Sequence, residues 1–321
     1  MRTLSRDTLK GLWSAVPTPW DASGSLDEGM LHRNCERLAA AKVEGVYTTD
    51  SDGEFYAIEL DRFKQLAQAF ARAMERTGLD AAMGVTWTHT QGTIDRLKAS
   101  YDVGIPTAHV AFPFFMALAP TDVDRFWEDL AQAVPEGRWI HYAHPRCGPQ
   151  LTGKDYARLA RRFPEQLIGT KLSDRDVVRL TEILVRAPEL AHLVTDPIMA
   201  PGMMLGARGC CSYWVNTLPR WHRRYMDCCL AGDWTAAAGC YQKLLQWELT
   251  HLQAIVAAGH NHGIIGKAQG ALTGFLEDTG ITRPPYGPVP PDLQRQLKAA
   301  FDQYWELEIA AEEFPRRKPC T

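Results

Sequence analysis

Short apolar runs recur along the chain and alternate with amphipathic stretches. Eight runs have the length and character of buried strands, and they cover residues 12–16, 45–49, 81–87, 108–114, 139–142, 167–171, 192–195 and 210–214. Helical spacing of apolar positions lies between several of them, over residues 27–41, 61–76, 122–134, 154–163 and 175–186. Asp27, Asp61 and Thr121 stand where a side chain would cap a first helical turn.

Strands that alternate with helices of this length indicate βαβ crossovers and a parallel sheet. Eight repeats in about 215 residues favour a closed (β/α)8 TIM barrel, an α/β fold, over an open doubly wound sheet. After Pro219 the pattern is helical only, over residues 233–258 and 292–312, with a proline-rich link at 283–291. We therefore predict a barrel over residues 1–218 and a helical extension over residues 219–321 packed on it.

Composition and charge narrow the class of protein. The chain has 321 residues, 45% of them hydrophobic, and a formal net charge of −3, so no basic excess points to nucleic acid. The apolar run 108–119 is interrupted by His109 and Pro113 and is too short to span a membrane. Residues 1–10 show no secretory signal, and the 8 cysteines are scattered without a Cys-x-x-Cys, so we expect reduced thiols in a cytoplasmic protein.

No metal site is expected. His260-Asn261-His262 is the one tempting histidine cluster, but it lacks the ligand spacing of zinc sites and is flanked by glycine. The pattern there favours a solvated turn. The Gly-rich phosphate-binding fingerprints of nucleotide enzymes do not occur either.

Function in such a barrel gathers at the C-terminal ends of the strands. The second strand runs into 50–54 (Asp-Ser-Asp-Gly-Glu), the fifth into 142–145 (Tyr-Ala-His-Pro), and the sixth ends at Lys171. A lysine buried at such a position is costly to keep charged, so we expect its pKa to fall and leave a nucleophilic amine. That amine would form a Schiff base with a keto acid, and Tyr142 on the neighbouring strand could relay protons. Each signal alone is weak, and their order along the chain strengthens them.

This order of motifs resembles the class I pyruvate-dependent aldolases, the family of dihydrodipicolinate synthase and N-acetylneuraminate lyase. Other segments that match are 15–19 (Ala-Val-Pro-Thr-Pro), 43–46 (Val-Glu-Gly-Val) and 206–219, which holds Gly-Ala-Arg-Gly and Asn-x-x-Pro. The resemblance implies that Lys171 is the Schiff-base lysine, Tyr142 the proton-relaying phenol and Asn216 part of the substrate site. It also implies a homotetramer, and no metal or organic cofactor, because the imine itself is the electron sink.

Two segments are most similar to hydratase-aldolases that act on arylidene-pyruvates, namely 133–145 and 283–290. The similarity implies water addition to a bound iminium, followed by cleavage to an aromatic aldehyde and pyruvate, or the reverse. The partners would thus be a small keto acid and an aldehyde. The alternatives are another pyruvate-family lyase, dehydratase or biosynthetic aldolase acting on a sugar-acid or amino-acid-derived keto acid, and a non-catalytic keto-acid-binding relative.

The loop after the second strand departs from the family pattern Gly-Thr-Thr-Gly-Glu, because Asp50, Ser51 and Asp52 fill its first three places. Ser51 keeps a hydroxyl and a backbone N–H for the pyruvyl carboxylate. Asp52 would repel that carboxylate unless it is protonated or turned away. Either it acts as an acid or base on the distal part of the substrate, or the substrate differs from the family's. The structural alternative is that it faces solvent or caps the next helix. His144 replaces a family asparagine and either positions water or a substrate hydroxyl, or is merely packed.

Aromatic residues near the predicted strand ends would stack on a flat ring or close the barrel mouth. They are Trp20, Trp87, Phe114, Phe115, Tyr213 and Trp214. We expect at least two to line the pocket, and we assign substrate contacts to Trp87, Phe115, Tyr213 and Trp214. The segment 113–115 (Pro-Phe-Phe) lacks the second tyrosine of the synthase branch, which argues against lysine biosynthesis.

Overall fold

A computed structural model describes residues 1–278 and 280–312 and shows a closed barrel of parallel strands. The strands are β1 (Gly11–Ala15), β2 (Gly45–Thr48), β3 (Asp80–Gly84), β4 (Thr107–Val110), β5 (Arg138–Ala143), β6 (Leu167–Leu172), β7 (Ala191–Thr195) and β8 (Gly209–Ser212). Each strand pairs with the next along the chain, and β8 closes the barrel on β1. The predicted TIM barrel is thus confirmed.

Helices cover the outside of the barrel. Those of the barrel repeats are α1 (Glu28–Ala40), α2 (Leu60–Thr77), α3 (Thr90–Asp102), α4 (Pro120–Ala133), α5 (Gly153–Arg162), α6 (Val177–Arg186), α7 (Met199–Met204) and α8 (Pro219–Ala231). Those that follow are α9 (Trp234–Trp247), α10 (Gln253–Ala257), α11 (His262–Gly270), α12 (Pro291–Tyr304) and α13 (Glu306–Ala311). Within the described residues, no helix is both long enough and apolar enough to cross a bilayer.

Apolar side chains form two layers, one inside the barrel and one between barrel and helices. The interior cluster is Leu4, Leu9, Trp13, Ala15, Tyr47, Ala82, Ile140, Ile168, Ala191, Leu193 and Cys211. Ile140 and Tyr142 are two positions apart on β5 and therefore share the interior face, and Tyr142 pairs in register with Lys171 on β6. The interior thus changes from apolar packing to reactive side chains towards the C-terminal end of the barrel.

Three strands are shorter than the sequence predicts. β3, β4 and β8 end at Gly84, Val110 and Ser212, several residues before the apolar runs do, because those runs continue into the loops at the barrel mouth. Asp27 caps α1 as expected, its Oδ1 accepting from the N–H of Met30. Neither Asp61 nor Thr121 holds the cap position of its helix.

The single helix predicted over residues 233–258 is interrupted. A π-helical turn, Glu248–Leu252, separates α9 from α10. The second predicted helix, over 292–312, is divided at Trp305 into α12 and α13. Apolar spacing alone does not predict such breaks, because a π turn is a single wider turn within a sequence that remains helical on both sides.

The segment 260–262 is solvent-accessible, as expected, but it leads into helix α11 and does not form an isolated turn. Asn261 caps α11 through its Oδ1, which accepts from the N–H of Ile264 and from the hydroxyl of Tyr56. α11 lies against the turn that follows β2, where Gly263 and Gly266 leave room for Ser51 and Asp52. The extension beyond Pro219 therefore contributes directly to the barrel mouth.

Candidate active site

Lys171 lies near the end of β6, inside the barrel and almost wholly buried. Its Nζ is 2.7 Å from Oδ2 of Asp50. The same nitrogen lies 4.0 Å from the ring centroid of Tyr142 and 4.3 Å from that of Tyr47. The amine is thus enclosed by one carboxylate and two aromatic faces, which favour a cation.

The expected fall in the pKa of Lys171 is wrong. Burial does oppose the charged amine, but the adjacent Asp50 carboxylate outweighs that effect and holds the pKa of Lys171 well above its usual range. The pKa of Asp50 falls to about 2: its burial opposes ionisation, and Lys171 and His109 overcome that effect. Lys171 rests as an ammonium, and it must lose a proton before it can act as a nucleophile.

Asp50 reaches the barrel interior because the backbone turns sharply where β2 ends. Thr49, directly before it, has a φ of 61°, a left-handed conformation that costs energy for a β-branched residue. Gly84 on β3 provides the space, since a methyl group there would overlap the Asp50 carboxylate. His109 on β4 completes the group, with its Nδ1 2.7 Å from Oδ2 of Asp50.

The hydroxyls of Tyr142 and Ser51 line the cavity beside the amine. Burial raises the pKa of Tyr142, although Lys171 and the interaction with Ser51 lower it. The phenol is therefore protonated near neutral pH and can donate to an oxygen that forms close to Lys171.

Asp52 lies at the cavity wall, close to the backbone of α11 at Gly266. Burial raises its pKa to about 6; Lys171 opposes that rise, and the carboxylates of Asp50 and Asp196 add to it. Asp52 therefore changes its charge in the physiological range. Its repulsion of a bound carboxylate is correspondingly reduced under mildly acidic conditions.

His144 and His262 face the cavity as neutral imidazoles. Burial and the neighbouring Arg146 lower the pKa of His144 to about 3, and the same two causes lower that of His262. Nδ1 of His144 accepts from the backbone N–H of Arg146 at 3.1 Å, and its Nε2 lies 3.4 Å from a guanidinium nitrogen of Arg146. Both rings can exchange hydrogen bonds with a substrate without adding charge.

The cavity at the barrel mouth has two compartments that share Ser51, Tyr142, His144, Arg146 and His262 as walls. The polar compartment encloses about 370 Å³, and its other lining residues are Tyr47, Asp52, Pro145, Lys171, Ser173, Arg175, Thr195, Pro197, Cys211, Tyr213, Ile265 and Gly266. The aromatic compartment encloses about 230 Å³, and its other lining residues are Phe55, Tyr56, Thr86, Ala111, Phe114, Cys147, Asn261 and Tyr286.

Six of the residues predicted from the sequence meet at this cavity. They are Lys171, Tyr142, Ser51, Asp52, His144 and Tyr213. The hydroxyl of Tyr213 donates to Oε1 of Glu248 at 2.6 Å, and the same oxygen accepts from Nε1 of Trp214. Glu248 belongs to the π-helical turn, so that turn anchors one wall of the cavity.

Two predicted aromatic contacts lie elsewhere. The ring of Trp87 packs under the guanidinium of Arg96, whose Cζ is 3.4 Å from the ring centroid. Phe115 is 83% exposed on an outer groove, while its neighbour Phe114 lines the aromatic compartment. The sequence identified this aromatic segment but did not determine which of its two rings points inward.

Trp214 and Asn216 also lie outside the cavity lining. Trp214 is fully buried against Trp305. Asn216 donates to the carbonyl oxygen of Ala15 at 2.7 Å and accepts from the hydroxyl of Ser14 at 2.9 Å. These contacts tie the segment after β8 to β1, which is a structural role.

Three site residues were not identified from the sequence, although each had a partial signal. Asp50 was noted only as a departure from the family loop. His109 interrupts an apolar run, and alternation along β4 is enough to place it inside the barrel. His262 belongs to the extension, and its position depends on how α11 packs.

Among the described residues, one further group has the composition of a metal site. Asp196, Cys210 and His222 are buried together, but none of them lines the cavity. Nε2 of His222 lies 3.0 Å from Oδ1 of Asp196, and Oδ2 of Asp196 accepts from the backbone N–H of Tyr213.

A family model described as the dihydrodipicolinate synthetase family matches residues 8–304. A 4-hydroxy-tetrahydrodipicolinate synthase of Thermus thermophilus is 26% identical and covers 92% of this chain and 96% of its own. The synthase of Natronomonas pharaonis is 24% identical, with 92% and 97% covered.

Solved structures share the fold. YagE, an Escherichia coli K12 prophage protein of the dihydrodipicolinic acid synthase family solved with pyruvate, gives a TM-score of 0.82 at 22% identity, covering 92% of this chain and 98% of that one. CdNal from Clostridium difficile, solved with mannosamine, gives 0.80 at 18% identity, covering 92% and 99%.

Proposed function

The chain belongs to the dihydrodipicolinate synthetase family of pyruvate-dependent class I aldolases and lyases, and from this premise we propose that it is a hydratase-aldolase. It holds the pyruvyl part of an arylidene-pyruvate as an imine on Lys171 and releases, or adds, an aromatic aldehyde. The observation that carries this proposal is the aromatic compartment that adjoins the polar compartment of Lys171.

The polar compartment supports binding of the pyruvyl group. Lys171 supplies the nucleophilic nitrogen, and the hydroxyls of Ser51 and Tyr142 lie beside it. Arg146 and Arg175 add positive charge at the wall, although Arg175 also pairs with Glu248 at 3.2 Å. Their positive charge offsets the repulsion between Asp52 and a carboxylate bound here.

The aromatic compartment supports binding of the aryl group. The rings of Phe55 and Phe114 meet edge to face at a centroid distance of 5.9 Å, and those of Tyr56 and Tyr286 at 4.7 Å. Such walls favour a flat ring that offers its face or edge to each of them. Its volume of about 230 Å³ is suited to a substituent of one or two rings.

The reaction begins when the Lys171 amine attacks the keto carbon and water leaves, which gives an iminium. Water then adds to the double bond, with hydroxyl on the aryl-bearing carbon and hydrogen on its neighbour. Loss of the hydroxyl proton breaks the bond between these carbons, the electron pair passes into the iminium as an enamine, and the aldehyde leaves. Protonation of the enamine and hydrolysis release pyruvate and restore Lys171.

Side chains at the junction of the compartments can move the protons that these steps need. Tyr142 lies between the amine and the aromatic compartment, and His144 and His262 line both compartments. The neutral ring of His144 lies at this junction, where it can orient the attacking water or the new hydroxyl group.

A second candidate function is lysis or synthesis of a sugar-acid or amino-acid-derived keto acid. It is favoured by the polar side chains beside Lys171, namely Asp52, Ser173 and Arg175, which could bind a hydroxylated chain. In that case the substrate would extend within the polar compartment and leave the aromatic one empty.

The first test is trapping with pyruvate and borohydride, followed by peptide mass mapping. We expect a reduced pyruvyl adduct on the peptide that carries Lys171, lost in Lys171→Ala and kept in Lys154→Ala, an exposed lysine on α5. Folded native protein that forms no adduct would contradict the Schiff-base role and favour a keto-acid-binding relative or a substrate other than pyruvate.

The second test decides between acceptors. We expect condensation of pyruvate with benzaldehydes to exceed that with polyhydroxylated aldehydes, and Phe114→Ala to raise the KM for the aryl substrate roughly tenfold through lost ring contact. Phe115→Ala, the exposed neighbour, should match the native protein. A preference for hydroxylated aldehydes, unaffected by Phe114→Ala, would favour the second candidate.

A further inference from the structure

The side chains of Lys171 and Asp50 are almost completely buried, although Lys171 lines the cavity. Their side chains are 4% and 1% exposed, respectively. Oδ2 of Asp50 is 2.7 Å both from Nζ of Lys171 and from Nδ1 of His109. The carboxylate therefore lies between the nitrogen that reacts and an imidazole that holds it in place.

Burying the Lys171–Asp50 ion pair costs free energy. A buried ion pair must be closely matched to offset the loss of hydration of both ions. Here it also requires the left-handed Thr49 and the missing side chain at Gly84. The other oxygen of the carboxylate, Oδ1 of Asp50, is buried without a hydrogen-bond partner among the described residues. Packing alone does not account for a carboxylate kept in this way against the reacting nitrogen.

We propose that Asp50 is a catalytic residue, which accepts a proton from the Lys171 ammonium as the keto acid arrives and then serves as counter-ion of the iminium, while His109 acts as its positioning residue. This inference rests on the proposed Schiff-base function of Lys171. Asp50 occupies the place of the first glycine in the family's loop pattern.

The proton balance of the step is closed. The ammonium gives one proton to Asp50, and the free amine forms a C–N bond to the keto carbon. The amine's second proton passes to the carbonyl oxygen through Tyr142, which gives a carbinolamine. The proton on Asp50 then goes to the departing hydroxyl, which leaves as water. The products are the iminium and an ionised Asp50, so the same carboxylate faces a cation before and after the step.

Several other groups determine the protonation of this pair. Those that face Lys171 or Asp50 from the surrounding elements are Tyr47 on β2, Asp52 after β2, His109 on β4, Tyr142 on β5, and Cys211 on β8. Burial raises the pKa of Tyr47, Tyr142 and Cys211, so they stay neutral near pH 7. Asp52 is the one of these neighbours that titrates near pH 6.

The test compares native protein with Asp50→Asn in the rate of pyruvate adduct formation, measured by timed borohydride quenching from pH 5 to 9. We expect Asp50→Asn to react ~100-fold more slowly at pH 7.5, the usual scale for losing a general base. We also expect its pH profile to shift. The rate of Asp50→Asn should rise with pH, because its ammonium must lose a proton to solvent, whereas the native rate should change little, because the proton stays within the pair.

Asp80→Asn is the matched control. Asp80 is also a strand carboxylate in an ion pair, with Arg2 at 2.5 Å, but it lies at the opposite end of the barrel. It should leave rate and pH profile unchanged. His109→Gln should reduce the rate less than Asp50→Asn and shift the profile in the same direction, whereas a merely structural role would change the melting temperature alone.

An Asp50→Asn protein that is folded by circular dichroism and forms the adduct at the native rate, or faster, overturns the proposal. So does a slower rate with an unshifted pH profile, since that result indicates a distorted site. If native protein forms no adduct at all, the proposed function fails and this step fails with it. If native protein forms the adduct and Asp50→Asn forms it equally fast, the proposed function stands and only this inference fails.

Discussion

At the scale of single residues, the site is defined by which groups carry charge. Lys171 is a cation because Asp50 faces it, and Tyr142 keeps its proton because it is buried. Asp52 is poised to titrate near pH 6. The chemistry therefore depends on a few neighbouring protons, and substitutions that remove a single oxygen or charge are informative.

Removing the hydroxyl of Tyr142 isolates its proton-relay role. Tyr142→Phe keeps the ring face over Lys171 but loses the hydroxyl that faces the cavity. We expect kcat to fall ~100-fold or more, since general acid–base catalysis commonly contributes that much. Steady-state kinetics should show this fall while the melting temperature of the variant stays native. Tyr101→Phe on α3 is the control, and a kcat of Tyr142→Phe within twofold of native would contradict the role.

The ionisation of Asp52 predicts a pH-dependent affinity for pyruvate. As pH rises through about 6 the carboxyl becomes a carboxylate, and its repulsion of the keto-acid carboxylate raises the KM, roughly tenfold for 1.4 kcal/mol of repulsion. Asp52→Asn should give a flat KM profile between pH 5 and 7.5. Asp292→Asn, at a 79% exposed position, should retain the native profile; an identical slope in Asp52→Asn would show that another group is responsible.

At the scale of elements, the turn after β2 and helix α11 form one unit. Glu54, at the end of that turn, pairs with Lys267 on α11 at 2.5 Å and accepts from Nε1 of Trp20 at 3.1 Å. This buried network joins the catalytic loop to the extension. A change on α11 should therefore affect the loop even though α11 follows it by some two hundred residues.

Gly266→Ala tests that packing. A methyl group there would lie 2.5 Å from Oδ1 of Asp52, so either the carboxylate or the helix must move. We expect several-fold lower kcat/KM and a melting temperature lower by a few degrees, as for ordinary overpacking. Gly270→Ala on the same helix meets nothing within 4 Å and should be neutral or slightly stabilising. Equal behaviour of the two variants would contradict the close fit.

At the scale of the whole molecule, the extension leaves apolar surface uncovered. Leu230, Leu249, Val256 and Leu307 are exposed on or beside the C-terminal helices. Exposed apolar side chains in helices of an otherwise well-packed chain are typical of contacts between subunits.

We therefore expect a homotetramer in solution, as the family resemblance implies. Size-exclusion chromatography with light scattering should give the mass of four 35.9 kDa chains. Leu307 is 79% exposed on α13, so Leu307→Glu should shift the mass downwards, with Val178→Glu on α6 as a comparison. A native mass of one chain would contradict the expectation.

By itself, the sequence determined the barrel, its eight strands and the placement of Lys171 and Tyr142 near adjacent strand ends. These features follow from local periodicity and from the rule that parallel strands present their C-terminal ends at one mouth. It did not determine that Phe114 rather than Phe115 faces inward, nor that the predicted helix over 233–258 has a π turn at Glu248. Those outcomes depend on backbone direction after the strand ends, which apolar spacing does not encode.

Only the tertiary structure decided the electrostatic state of the site. The sequence predicted a low pKa for Lys171 from burial alone, and the fold reversed it by bringing Asp50, 121 positions earlier in the chain, to its nitrogen, with His109 bound to the same carboxylate. His262 likewise reaches the cavity only because α11 packs on the loop after β2. Charges interact through space, and the distances that set their strength exist only once the barrel has closed.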